Sequence, residues 1–318
     1  MTSDAPHRPR RRRVLHGGLA AALLGAGALA SAADPVVWLI AADQSAAYAE
    51  ALAAVREALP GVVLRSFATT ALPAPGREPA PALVLTLGSS ALRVALERAT
   101  NDSALAQVPV AAGLLPRASF EVLPLRASPP VTAVWLDPAV ERHLDLLRLA
   151  LPDRRRLAVL WGPTSRAWRA TLQRAATERG LQLIEAELPA VELFPALSQV
   201  LGDADALLLL PDSAVYQPGN LNNVLIAAYR QRVPVLGYAA THVRAGATLA
   251  LHTEPAQAGR QLAAVARRLL NERRGLPPPA ASTLWTVDVN EQVARSLGLS
   301  LPDPAALTQA LRRQETRP

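Results

Sequence analysis

Four short segments carry the groups a small polar ligand would need. Gly88-Ser89-Ser90 offers a backbone open to close approach, two hydroxyls and the free N–H groups of a helix start. Asp43-Gln44-Ser45 and Gly162-Pro163-Thr164-Ser165 add a carboxylate, an amide and further hydroxyls, each just after an apolar run. Pro211-Asp212-Ser213, with Tyr216 three residues beyond Ser213, sets a carboxylate suited to a ligand ammonium near a ring that could wall a flat ligand. Tyr238 and Thr241 follow the next apolar run. Each has a plainer role too. Ser89 and Asp43 would serve as helix caps, Asp212 as a turn residue, and Tyr238 and Thr241 as shapers of a hinge.

Catalytic chemistry has little to draw on. The chain has no Cys, which excludes disulfides, thiol nucleophiles and Cys-based zinc sites. Of its five His, His7 and His16 lie near the N-terminus, and His143, His242 and His252 are far apart in sequence, without metal-binding spacing. No GxSxG elbow and no glycine-rich nucleotide loop is present. Asp203 and Asp205 precede an apolar strand and read as solvent-facing. The expectation is a binding protein with no catalytic residues, no metal and no cofactor.

The elements that must hold these groups alternate. Val36–Ala41 reads as a strand, Ala46–Leu59 as an amphipathic helix, Val62–Phe67 and Leu83–Leu87 as strands, Ser89–Arg98 as a helix and Val108–Ala112 as a strand. After a helix over Pro138–Leu149 the plan repeats: strands at Leu157–Trp161, Leu181–Ala186, Ala206–Leu210, Val233–Leu236 and Thr248–Leu251, with helices between and a long one at Pro255–Leu270. Thr286–Val289 and the helix Glu291–Leu297 precede what reads as a polar tail. Short apolar runs alternating with helices imply parallel sheets covered on both faces, and ligands in such sheets sit beyond the carboxyl ends of the strands. Two sets of about four parallel strands, each too small to be one large sheet, suggest two similar lobes.

The N-terminus reads as an address. Arg10 to Arg13, the apolar Val14–Leu29 and Ala30-Ser31-Ala32 match a cleaved secretory signal, with the arginines also similar to a twin-arginine signal. All 33 basic side chains other than His are Arg, and most of the formal +7 lies in residues 1–32, which hold five Arg against one Asp. The remaining arginines are interspersed with acids, so nucleic-acid binding is not expected. Without a Cys to lipidate, an exported form would be free in the periplasm and not a lipoprotein.

The run LLLLPDSAVYQPGNLNNVLIAAYRQRVPVLGYAATHVRAGATLAL, with TLGSSAL, LLRLALPDRRRLAVLWGP, AQAGRQLAAVARRLL and VDVNEQVARSLGLSLP, resembles the substrate-binding proteins of bacterial ABC importers, in their uncharacterised-solute, tryptophan/tyrosine-type group. The likeness runs from about Leu83 to Pro302. It implies an α/β type I periplasmic binding fold: two Rossmann-like lobes with parallel sheets, joined by a three-stranded hinge and closing on a solute. On that plan residues 1–32 are the signal peptide, 33–134 plus 239–282 the first lobe, and 135–238 plus 283–318 the second, with crossovers near Thr132–Leu136, Tyr238 and Ala281–Leu284. The implied partners are a small-molecule ligand, an amino acid or another small organic solute, and an ABC permease in the inner membrane, with the protein itself a monomer. The chain departs from the family in its short loops around Leu114–Pro130 and in Gly237-Tyr238-Ala239-Ala240, where relatives carry an acid-containing turn. The other readings are a periplasmic sensor that reports ligand state to a membrane receptor or kinase and, more remotely, an exported hydrolase.

Overall fold

Strands buried on both faces dictate the architecture. Leu83–Leu87, Val110–Gly113 and Ala206–Leu208 are buried at every position, as the middle strands of a parallel sheet between helical layers must be. The computed structural model describes residues 34–125, 129–188, 192–216, 218–272 and 275–315. The expected signal segment lies outside them.

The first half runs β1 (Val36–Ala41), α1 (Ala46–Ala58), β2 (Val63–Ala68), β3 (Leu83–Leu87), α2 (Ser89–Asn101), β4 (Val110–Gly113), α3 (Arg117–Glu121) and β5 (Val131–Trp135). The second runs α4 (Val140–Ala150), β6 (Arg156–Trp161), a 3-10 turn (Ser165–Trp168) leading into α5 (Arg169–Glu178), β7 (Gln182–Glu187), α6 (Leu193–Asp203), β8 (Ala206–Leu208), α7 (Pro218–Arg230), β9 (Val235–Gly237), α8 (Ala240–Ala245) and β10 (Leu249–His252). The chain closes with α9 (Pro255–Leu270), β11 (Ala280–Ala281), β12 (Thr286–Val289), α10 (Glu291–Ser296) and α11 (Pro304–Glu315).

The strands form two six-stranded sheets, ordered β11-β5-β4-β3-β1-β2 and β12-β10-β9-β8-β6-β7. All pairings are parallel except β10 with β12. Each sheet is the centre of one lobe with a core on either face. In the first lobe, α1 and α9 cover one face and α2 and α3 the other. In the second, α4, α5 and α11 cover one face and α6 and α7 the other.

Two expectations are corrected. β10 pairs with β9 in parallel and with β12 in antiparallel register, Leu249 opposite both Leu236 and Val289. Residues 239–252 therefore belong to the second lobe, and the chain recrosses after His252, not at Tyr238. A short α8 and a strand fill the stretch expected to start the return. The polar tail is the helix α11, whose Leu307 and Leu311, one turn apart, are buried against α4 and β12.

The three crossings lie side by side and are tied together. The first runs between Trp135 and Val140, the second between His252 and Pro255, and the third between Ala281 and Thr286. Gln261 of α9 is buried, and its amide grips the third crossing. Its Oε1 accepts from Thr283 N at 2.6 Å, Thr283 Oγ1 at 3.0 Å and Leu284 N at 3.3 Å, and its Nε2 donates to Ser282 Oγ at 2.6 Å. Thr253 Oγ1 of the second crossing donates to Leu284 O at 3.1 Å, and Arg142 Nη1, one turn into α4 after the first, donates to Ser282 O at 3.1 Å.

Helices α1 and α9 meet closely at Gly259. A Cβ there would lie 2.3 Å from Ala51 O and 3.0 Å from Ala54 Cβ. Backbone cannot yield as a flexible side chain does, so Gly259→Ala is expected to cost about 1–3 kcal/mol of stability through overpacking. Urea unfolding checks this; an unchanged midpoint would show that the two helices separate freely.

Candidate functional site

Strand ends from both sheets meet at a common cleft, β5 from the first and β8 and β9 from the second, and the residues expected at the strand ends have different fates. Asp43, Gln44 and Ser45 are exposed at the end of β1. Asp43 Oδ1 accepts from Gln44 N at 2.5 Å and Ser45 N at 2.9 Å, a local turn ahead of α1. Gly88 ends β3 with φ +91°, and a Cβ there would lie 2.5 Å from Tyr48 Oη and 2.8 Å from Ala42 Cβ. The glycine thus lets α1 and the end of β1 close over the strand. Ser89 is half-buried and Ser90 exposed at the start of α2, and no side chain caps that helix.

The second lobe corrects the reading of Asp212. Its side chain is buried, and four donors converge on it. Thr164 N at 3.0 Å, Ser165 N at 2.8 Å and Ser165 Oγ at 2.9 Å donate to Oδ2, and Ala214 N at 3.1 Å donates to Oδ1. The carboxylate fills the amino end of the turn that starts α5, where a ligand anion would otherwise be favoured. Gly162 is part of the same knot. A Cβ on it would sit 2.5 Å from Asp212 Cγ, and its N–H donates to Ser165 Oγ at 2.9 Å. A carboxylate so enclosed is not available to a ligand ammonium. Tyr216 is buried in the core formed by β6, β8, α6 and α7, where burial raises its pKa, and it is not a cleft wall. Ser213 and Thr241 are exposed.

Tyr238 does reach a cavity. About 130 Å³ of space opens at the hinge end of the cleft. The first lobe supplies Arg117, Trp135 and Ala281, and the first crossing with α4 supplies Asp137 to Glu141 and His143. The second lobe supplies Trp168, Thr171, Leu208 to Pro211 and Tyr238. Burial first, then the charges of Asp137 and Asp212, pushes the Tyr238 hydroxyl up to about 12. Its ring meets the His242 imidazole edge-on at 4.3 Å between centroids. Burial raises the Asp137 carboxyl above the usual range, against the pull of the Arg117 N–H that donates to it at 2.5 Å. The Trp168 indole N–H is buried without an acceptor among the described residues.

Arg117, Asp137 and Trp168 are absent from the sequence-level candidates. One sign of them was legible: Asp137-Pro138 follows the strand that ends at Trp135 and starts the first crossing. Trp161 and Trp285, by contrast, are fully buried in the second lobe's core. No group of His, Asp or Glu among the described residues could hold a metal ion. No helix among them is long and apolar enough to cross a membrane.

The family profile described as ABC transporter substrate binding protein matches residues 105–310, more than half of the chain. No curated protein gives a significant sequence match. Solved structures share the fold, three of them as follows. A ligand-free, open substrate-binding protein with adhesive properties from Clostridium difficile has 16% identity and a TM-score of 0.66, over 85% of this chain and 96% of its own. An ABC domain in complex with L-Trp from Streptococcus pneumonia has 13% identity and a TM-score of 0.56, over 87% and 98%. A conserved domain protein from Vibrio cholerae has 19% identity and a TM-score of 0.55, over 86% and 97%. At such identities the likeness shows the fold, that of the type I periplasmic binding proteins.

Two predictions follow from the charges buried here. Asp212→Ala would leave neutral donors without their acceptor and should cost about 2–4 kcal/mol, since a buried donor left unsatisfied costs about 1–3 kcal/mol; a loss below about 1 kcal/mol in urea unfolding would contradict its role as the clamp. His143 and His242 are both pushed down to about 4, chiefly by burial, from an ordinary 6.5. The unfolded chain takes up these protons first, so their contribution to stability is complete above pH 6.5 and is lost as pH falls from about 6.5 toward 4. The urea midpoint should decline across that window, and a flat profile would mean that the rings are not buried neutral.

Proposed function

Because the chain belongs to the ABC transporter substrate binding protein family, we propose that it captures a small organic solute between its lobes outside the cytoplasmic membrane and hands it to an ABC permease. A binding protein of this family is not an enzyme; its work is recognition and delivery. The cavity carries the proposal, because its walls come from both lobes and from the first crossing. A guest there would touch both lobes at once, and contacts from both sides favour the closed arrangement over the open one.

We assign the solute contacts to Tyr238, from the sequence-level candidates, and to Trp135, Asp137 and Trp168 beside it. Ser89 and Ser90 would form the outer lip of the first lobe, where the amino end of α2 carries no side-chain cap. Thr164 and Ser165 serve the second lobe through the Asp212 knot, by shaping its rim. The basic and apolar N-terminal segment supports export with removal of residues 1–32 and release as a free periplasmic monomer.

Native mass spectrometry of freshly purified protein should show a bound small molecule, lost on unfolding and refolding, with a drop of several degrees in thermal midpoint. Tyr238→Ala should weaken its rebinding about tenfold or more, the loss expected when a buried aromatic contact is removed. Unliganded chain alone, with no thermal shift across amino acids, amines, nucleosides and organic acids, would contradict the proposal.

A further inference from the structure

We propose that the cavity takes a small organic cation, an amine or quaternary ammonium compound, with its charge set beside Asp137 among the rings of Trp135, Trp168 and Tyr238. This rests on the cleft being the solute site and narrows its guest.

The charges lining the cavity are unequal. Asp137 and Glu141 both line it, and neither forms an ion pair among the described residues. Asp137 is half-buried, and burial opposes its ionisation. The nearby Arg117 charge offsets that cost in part, but a half-buried carboxylate with no ion-pair partner still carries a desolvation cost that a cationic guest would relieve. Arg117 is the one cation in the lining, and it is engaged. Its Nε is 2.6 Å from Glu121 Oε1, and its guanidinium lies 5.5 Å from the centroid of the Trp135 ring. A guest anion would meet no free positive partner, and Asp212 already occupies the nearby helix start of the second lobe.

The rings agree with the charges. Aromatic residues are 4% of the chain, yet three line this cavity from separate elements: the end of β5, the 3-10 turn and the end of β9. Aromatic π-systems attract cations, and more so away from water. At about 130 Å³ the space is near that of a cavity that admits a benzene ring.

The test is calorimetric titration of the mature chain, freed of co-purified solute, with choline, tryptamine, indole, L-tryptophan and indole-3-acetate. Choline or tryptamine should bind and indole-3-acetate should not. Asp137→Asn should weaken cation binding about tenfold or more. Glu141→Gln should weaken it to a lesser degree and provides the same readout if the first variant fails to fold. Tighter binding of indole-3-acetate or L-tryptophan than of either cation would overturn the proposal while leaving solute capture intact. So would cation binding that survives both substitutions. Silence from every probe would also overturn it, and the mass spectrum of the untreated protein then decides separately whether a solute is captured at all.

Discussion

The hinge depends on one side-chain amide. Gln261, buried on α9, accepts from Thr283 and Leu284 and donates to Ser282, so the third crossing is held to the first lobe's helix layer. Arg142 holds the same crossing from α4, and Thr253 holds it from the second crossing. Three thin connections therefore meet in one hydrogen-bonded node. Two lobes joined by independent loops could shear and twist. Tied at a node, they would be left with rotation about it, and the space beside the node would open and close as they turn. The cavity lies there, with Ala281 and Asp137 to Glu141 supplying its hinge-side wall.

The two lobes resemble each other in sheet order but not in electrostatics. The second lobe carries its own anion, Asp212, at the helix start that follows β6. The first lobe leaves the start of α2 without a side-chain cap. Recognition at the hinge end is thus left to rings and to acids that form no ion pair among the described residues, and the neutral histidines behind them add no charge near pH 7. His143 rests between Ala139 O at 3.3 Å and Leu251 O at 3.2 Å, joining α4 to the end of β10.

Much of the fold was legible because burial writes itself into residue type. The run Leu83–Leu87 and the amphipathic period of Pro255–Leu270 name a middle strand and a covering helix without further help. The return crossing was not legible. Whether Leu249–His252 joins the first sheet or the second depends on whether it pairs beside β9, as it does, or crosses back, and no local pattern records that choice. The site was less legible still. Asp212 looked like a ligand carboxylate because its sequence context shows a strand end and a hydroxyl, and does not show the backbone N–H groups of Thr164 and Ser165 that fold onto it. Asp137 and Trp168 escaped notice because the cavity exists only after two lobes and a crossing converge, and each residue alone reads as a turn or a core side chain.

The central claim is that the lobes rotate about the tied hinge onto a solute. The chain has no Cys, so Arg93→Cys on α2 and Arg174→Cys on α5, both exposed, accept one spin label on each lobe without background. The distance distribution between the labels, measured on protein stripped of bound solute and again with its co-purifying molecule restored, reads the rotation directly. A shorter and narrower distribution on restoration is the expected result. Identical distributions, with binding confirmed in the same sample, would contradict it.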